Sequence, residues 1–95
     1  MYKDLDPVLH SQLRLAIVSM LISNGEIDFA YIKELTNATS GNISIQIKNL
    51  QEAGYVEVIK SFKNNYQNTS LKITSKGMTA FEEYVESLKQ YIKKE

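Results

Sequence analysis

One β-rich segment, set between stretches of helical periodicity, most constrains how this chain can fold. Residues 55–62 are rich in β-branched and aromatic side chains, and residues 69–74 alternate so that Leu71 and Ile73 lie on one face. The polar run 63–68 separates these two segments. We therefore predict a β-hairpin closed by a loop of about six residues, which is longer than a tight turn.

A first helix is predicted upstream of this segment and ends near residue 23, ahead of an Asn-Gly pair. Asp6 followed by Pro7 is a helix-start signal, with aspartate as the N-cap and proline at the first helical position, and Ser11 offers a second start. Apolar residues between positions 13 and 22 occupy nearly every direction around the helix axis. Such a helix must be covered on most sides, and in so short a chain we expect a second subunit to supply part of the cover.

A short second helix is predicted after Asp28, whose side chain can cap it. Phe29, Ile32 and Leu35 keep the three-residue spacing of a buried helical face. The polar residues 36–39 then favour a turn.

The third helix is predicted over residues 40–53, with Thr39 or Ser40 as its cap and Gly54 at its C-terminal end. Its inward stripe consists of Ile43, Ile47 and Leu50. At 100° per residue its outward face contains Gly41, Ser44, Ile45, Lys48, Asn49 and Glu52.

This outward face has the chemistry that base edges and phosphates require. Ser44 and Asn49 can donate or accept hydrogen bonds, and glycine allows a phosphate or sugar to approach closely. Lys48 can reach a phosphate or a guanine, and Ile45 can contact a thymine methyl group. An ordinary amphipathic helix with a solvated face has the same pattern, so the pattern alone leaves both interpretations open.

The last helix is predicted to begin after Thr74 or Ser75 and to run to about residue 93. Its apolar residues repeat at steps of three and four, as in a coiled-coil seam, at Met78, Phe81, Val85, Leu88 and Ile92. We predict that this seam, with Leu13 and Ile17 of the first helix, forms a homodimer interface. The alternative is that the seam packs on the first helix of its own subunit.

The order helix, helix, helix, hairpin, helix is that of a winged helix-turn-helix, a mainly α fold of the α+β class. Ninety-five residues allow one domain, 1–95. Within it we expect a DNA-binding core at about 28–77 and dimerisation helices at about 5–24 and 75–93.

The net charge is zero, but its distribution is uneven. Residues 40–77 contain five lysines and two glutamates, whereas the segments on either side are slightly acidic. A basic middle segment favours contact with phosphates. A solvated lysine face would give the same surplus.

Composition also excludes several classes of site. The chain has no cysteine, so neither disulfides nor thiolate metal sites can form, and its one histidine, His10, has no partner ligands at useful spacing. Glu82, Glu83 and Glu86 lack a nearby nucleophile or glycine-rich loop, and a solvated helix face explains them. We predict no catalytic residues, no metal and no cofactor. With no membrane span or secretory signal in the sequence, we expect a cytoplasmic protein.

Four motifs along the chain match a known pattern. They are Asp-Pro-Val-Leu-His-Ser at 6–11 with Arg-Leu at 14–15, Ser-Gly-Asn-Ile-Ser at 40–44, the run at 50–58 and the run at 71–77. The pair L-x-x-A-G-Y-V and T-x-x-G, within the last two runs, is specific when found at this spacing. Together the motifs, over roughly residues 5–92, resemble the MarR-related winged helix-turn-helix transcriptional regulators, and in particular their small single-domain branch.

The resemblance implies a homodimeric regulator that binds double-stranded DNA sequence-specifically at an inverted repeat. The third helix would enter the major groove, and the hairpin, at about 62–69, would lie as a wing on the backbone or in the minor groove. The implied helix contacts are Ser40, Gly41, Asn42, Ser44, Ile45, Gln46, Lys48 and Asn49. The implied wing contacts are Lys63, Asn64, Asn65 and Tyr66, and Lys60, Phe62 and Thr69 also match the family's wing. Whether a small-molecule effector binds stays open.

Two departures from the family pattern support an alternative. Ile45 and Gln46 stand where relatives carry a polar or basic residue and a histidine, and asparagines and glutamine occupy a wing that is usually rich in arginine. The alternative is a winged-helix protein-interaction module that has lost DNA binding.

Overall fold

Four helices and a three-stranded antiparallel sheet make up the fold in a computed structural model, which describes residues 2–92 except for the side chain of Lys63. The helices are α1 (Gln12–Asn24), α2 (Phe29–Thr36), α3 (Ser40–Glu52) and α4 (Ser75–Ile92). The strands are β1 (Glu26–Asp28), β2 (Val56–Lys63) and β3 (Tyr66–Ile73), in the sheet order β1-β3-β2. The predicted winged helix-turn-helix fold is confirmed. The predicted end of α4 at residue 93 lies outside the described residues.

The core lies where α1, α2 and α3 meet the inner end of the sheet. Ile17, Leu21, Ile32 and Leu71 have no exposed surface. The predicted stripe of α3 is confirmed, since Ile43, Ile47 and Leu50 are all buried. Leu35 does not belong to the buried face predicted for α2, because it lies in the last turn of an eight-residue helix and is 55% exposed.

The helix-turn-helix unit is held by local caps. Asp28 accepts a hydrogen bond from the Tyr31 amide (2.8 Å), and Thr39 accepts one from the Asn42 amide (3.1 Å), so each helix starts on a side-chain oxygen. Asn37 ends α2 in the left-handed region at φ 60°, a conformation that asparagine tolerates. Three residues therefore suffice to turn the chain from α2 into α3.

The start of α1 differs from the prediction. Asp6 and Pro7 form a separate turn, in which the Asp6 carboxylate accepts from the Val8 amide at 2.8 Å and its carbonyl accepts from the His10 amide at 2.8 Å. This turn buries Leu9 completely, and α1 begins only after Ser11. The second start signal, rather than Asp6-Pro7, therefore begins the helix.

The hairpin is tighter than predicted. The six-residue loop is wrong, because Lys63 and Tyr66 form the last pair of the ladder and only Asn64 and Asn65 lie between them. Both asparagines have positive φ, 52° and 69°, as a two-residue type I′ turn requires. Asparagine adopts this conformation more readily than most residues, which lets a polar run continue as paired strands.

Strand β1 was not predicted. It has three residues and pairs antiparallel with β3, where Ile27 lies opposite Leu71 and is buried. Because α2 follows it directly, β1 fixes the helix-turn-helix unit to the hairpin.

A hydrogen-bonded junction fixes α4 to the start of the hairpin. The Thr74 hydroxyl donates to the Gly54 carbonyl at 2.7 Å and accepts from the Gly77 amide at 2.9 Å, and the Thr74 amide donates to the Tyr55 carbonyl at 3.1 Å. Gly77 packs so closely on that carbonyl that a Cβ there would lie 2.3 Å from the oxygen. Within residues 2–92, no helix is long and apolar enough to cross a membrane.

Candidate nucleic-acid interface

The exposed face of α3 is the centre of the candidate interface. The structure places Ser40, Gly41, Asn42, Ser44, Ile45, Lys48 and Asn49 at the surface, as predicted. Ile45 is 59% exposed, so its side chain is an apolar projection within a polar face. These residues are therefore accessible to a partner molecule.

A groove between α3 and the hairpin adjoins this face. Ser44, Lys48 and Gln51 line it from the helix, and Val58, Lys60 and Thr69 line it from the strands. Lys60 lies opposite Thr69 in the β2–β3 ladder, on the sheet face that packs on the core farther along. The groove is therefore lined by two lysine side chains, one from each wall, together with side chains that carry hydroxyl and amide donors.

The sequence alone did not identify three polar residues of this groove as contacts. Lys60, Gln51 and Thr69 were not among the predicted sites, although Lys60 and Thr69 match the family's wing. The alternation of residues 56–62 places Lys60 on the core-facing side, which would have been a usable signal. Gln51 lies in the last turn of α3, and only the packing of the hairpin brings it to the groove.

The N-terminus of α3 carries a further cation. The Lys33 ammonium, in the last turn of α2, donates to the Ser40 hydroxyl at 2.8 Å. The free amides of a helix N-terminus and a lysine both favour a negatively charged group. Lys33 was also missing from the predicted set.

Gln46 differs from its predicted neighbours because its amide is already bonded within the chain. The side chain is half-buried, its Oε1 accepts from the Arg14 guanidinium at 2.5 Å, and its Nε2 donates to Asn42 Oδ1 at 2.9 Å. Arg14 also donates from Nε to the Val8 carbonyl, at 2.6 Å. Arg14 and Gln46 thus tie α1 and the N-terminal turn to Asn42 on the exposed face of α3.

The wing tip is exposed and mostly uncharged. Asn64, Asn65 and Tyr66 are at the surface, and the predicted contact Lys63 has a side chain outside the described part of the chain. Phe62 and Tyr66 are each 77% exposed. The tip therefore presents asparagine amides between two solvent-exposed aromatic rings.

The residues predicted for dimerisation differ in their exposure. Met78 and Ile92 are 45% and 69% exposed, and Leu13, Phe81, Val85 and Leu88 are half-buried. Ile17 has no exposed surface and packs inside its own chain, so the prediction that it contacts a partner is wrong. The apolar seam of α4 is only partly covered by this subunit, because α4 packs on the core mainly through Tyr84, Phe81 and Leu88.

Other polar residues form structural contacts. His10 Nδ1 lies 3.0 Å from the Tyr84 hydroxyl, which ties the N-terminal turn to α4. The Tyr55 hydroxyl donates to the Asp6 carboxylate, and burial together with this bond raises the pKa of Tyr55 to about 12. Among residues 2–92, no three or more His, Cys, Asp or Glu side chains are grouped closely enough to hold a metal ion.

The class that these features define is a winged helix-turn-helix, in which the polar exposed face of α3 lies beside a lysine-lined groove and a β-hairpin wing. Residues 13–92 match the family described as the winged helix DNA-binding domain, and the chain belongs to that family. It is 36% identical over 86 residues, 90% of this chain and 94% of the relative, to an uncharacterised protein of Methanocaldococcus jannaschii.

Solved structures share the same fold. A transcriptional regulator homologue from Pyrococcus horikoshii superimposes with a TM-score of 0.82 at 28% identity, over 90% of this chain and 84% of that one. A mutant of the Escherichia coli protein MarR in complex with operator DNA superimposes with a TM-score of 0.73 at 16% identity, over 90% of this chain and 61% of that one. The winged-helix fold that the motif resemblance to MarR-related regulators implies is confirmed.

Proposed function

We propose that this protein is a homodimeric, cytoplasmic transcriptional regulator that binds double-stranded DNA sequence-specifically and needs no cofactor. In this proposal α3 enters the major groove, and the wing lies on the adjacent backbone or in the minor groove. The observation that carries it is the continuity between the exposed face of α3 and the groove containing Lys48 and Lys60.

The chemistry of the groove matches a sugar–phosphate backbone. A strand passing between a helix in the major groove and a wing beyond it would meet an ammonium group from each wall. Ser44, Gln51 and Thr69 add donors that can fix the register without reading the sequence. Base reading then falls to the other exposed residues of α3, with Ile45 against a thymine methyl and Asn49 as a polar reader.

The half-covered apolar seam of α4 supports the proposed homodimer. Met78 and Ile92 are exposed at its two ends, while Val85 and Leu88 are half-buried between them, with Leu13 contributing from α1. Two chains related by a two-fold axis would present two recognition helices, so the target is an inverted repeat with half-sites about one helical turn, 10–10.5 base pairs, apart.

The mostly uncharged wing tip favours a second candidate, a protein-interaction module without DNA binding. Exposed aromatic side chains such as Phe62 and Tyr66 are common at protein interfaces. The lysine pair in the groove has no role in that alternative, and the two candidates differ in their response to duplex DNA.

The test is selection of bound sequences from a random duplex pool, followed by affinity measurements at several salt concentrations. Lys48→Ala and Lys60→Ala should each weaken binding and reduce the salt slope by about one, because each removes one phosphate contact. Lys63→Ala should act alike if the wing touches the backbone. Ile45→Ala should cost about 1 kcal/mol at one base position and leave the salt slope unchanged.

Lys72→Ala is the matched control, because Lys72 is an exposed lysine of β3 that lies on the sheet face away from the groove, opposite Glu57 in the strand register. It should bind like the wild type. Failure of the wild-type protein to retain any duplex at about 50 mM salt would refute the proposal and favour the interaction module.

A further inference from the structure

The outer half of the wing has a different chemistry from the groove beside it. The groove is lined by Lys48 and Lys60, whereas in the outer wing, from Ser61 to Asn68, Lys63 is the single charged residue. Two of them, Phe62 and Tyr66, are the most exposed of the large apolar and aromatic side chains, at 77% each. An aromatic ring left in water at the end of a hairpin adds nothing to the core, so it is available to contact a bound molecule.

The strand register shows which ring faces the groove. Val58, Lys60 and Phe62 alternate on one face of β2, and Val58 and Lys60 line the groove with α3. Phe62 lies two residues farther out on that same face, which is about 7 Å beyond Lys60 along the strand. Tyr66 pairs with Lys63 and lies on the opposite face.

The tip carries the donors that suit a minor groove. Asn64 and Asn65 form the entire turn, so their amides project at the extreme end of the hairpin. The minor groove presents mainly acceptors at A·T pairs, which amide donors can satisfy without a charge. Proteins that bind this groove combine such polar readers with apolar side chains inserted between base steps.

We propose that Phe62 is a wedge that inserts from the minor groove into a base step flanking each half-site and bends the DNA. This inference rests on the proposed function, since it requires the wing to follow the groove-bound strand outward. Partial unstacking costs least at flexible pyrimidine–purine steps, so the wing selects TA or CA/TG steps without reading their base edges in the major groove. Sequence preference at the flanks then comes from DNA deformability rather than from charge.

The experiment uses the full chain and a duplex chosen by the selection above, labelled at both ends for energy transfer. Wild-type protein should shorten the end-to-end distance, consistent with a kink of about 20–90° at each wing site. Phe62→Ala should abolish most of the bend, lower the affinity about tenfold and remove the preference for a flexible step over a stiff A-tract, with the salt slope unchanged. Phe62→Leu should retain much of the bend, because leucine is also an apolar wedge.

Tyr66→Ala is the matched control, since it removes an equally exposed ring from the opposite face and should leave the bend intact. A wild-type complex with straight DNA, or a Phe62→Ala complex bent like the wild type, would overturn the wedge while leaving the proposed function standing. A Phe62→Ala variant that reduces the salt slope as Lys60→Ala does would also overturn it, because the ring would then act by positioning the lysine. Absence of any duplex binding by the wild type would overturn both proposals.

Discussion

Replacing Gly77 by alanine should destabilise the protein, although alanine is the better helix former. The added Cβ would lie 2.3 Å from the Tyr55 carbonyl oxygen, 3.0 Å from the carbonyl carbon and 3.1 Å from Ile73 Cδ1. The oxygen contact must open by about 0.7 Å to reach 3.0 Å, and the obstacle is backbone, which cannot rotate away. The first turn of α4 must therefore move away from the start of β2.

The size of the effect follows from two losses and one gain in the free energy of unfolding. Overpacking of this kind costs about 1–3 kcal/mol, and displacing α4 also strains the bond from the Thr74 amide to the same Tyr55 oxygen, for about another 1 kcal/mol. The higher helix propensity of alanine recovers at most about 1 kcal/mol. A net loss of about 2 kcal/mol corresponds to a fall in Tm of roughly 8–16 °C for a domain of this size.

The assay is urea and thermal unfolding followed by circular dichroism, at two protein concentrations because a dimer's stability depends on concentration. Gly41→Ala is the matched control: a Cβ there meets no atom within 4 Å, so the variant should be between neutral and about 1 kcal/mol more stable. The reasoning is refuted if Gly77→Ala unfolds at or above the wild-type midpoint.

Three further outcomes are expected. Stability should fall as pH rises from about 10 toward 12, because Tyr55, whose pKa is raised to about 12, stays neutral in the fold while its unfolded form ionises near 10. Tyr55→Phe should remove that part of the alkaline loss and, by breaking the bond to Asp6, cost about 1.5–3 kcal/mol at neutral pH in urea titrations. Arg14→Met should shift base preference in the duplex selection, because Arg14 holds Gln46, which bonds to Asn42 on the exposed face of α3. Arg14→Lys should shift it as well, because lysine keeps the charge without the planar guanidinium fork. In sedimentation the wild type should show about twice the 10.8 kDa chain mass, and Leu88→Glu should dissociate the dimer. Lys89→Glu, at an exposed position, is the control and should stay dimeric. A Leu88→Glu variant that stays dimeric would argue against the α4 interface.

Local patterns predicted the helices well. Ile43, Ile47 and Leu50 recur at helical spacing, and their burial follows from the geometry of one helix. The motif pair of Gly54-Tyr55 and Thr74-x-x-Gly77 was recognisable, and the structure explains its spacing by the Thr74 hydroxyl, which bonds to both glycines.

Features that depend on contacts between residues distant in the sequence could not be predicted from local patterns. Strand β1 has only three residues and exists because Ile27 pairs with Leu71. The hydrogen bond from the Arg14 guanidinium to the Gln46 side chain joins residues 32 positions apart, so no local pattern reveals that this amide is already bonded within the chain. The tight turn was missed for a local reason, since Asn-Asn within a long polar run gives a weaker turn signal than Asn-Gly.

The exposure of the wing tip has an evolutionary consequence. Among its described side chains, those from Ser61 to Gln67 are all exposed, so substitutions outside the Asn64-Asn65 turn leave most of the folding free energy untouched. The glycine and threonine junction, in contrast, tolerates little change. In the wedge proposal, descendants of this chain can therefore alter which flanking DNA they prefer by substitutions in a few hairpin codons, while selection for a folded domain acts on different positions.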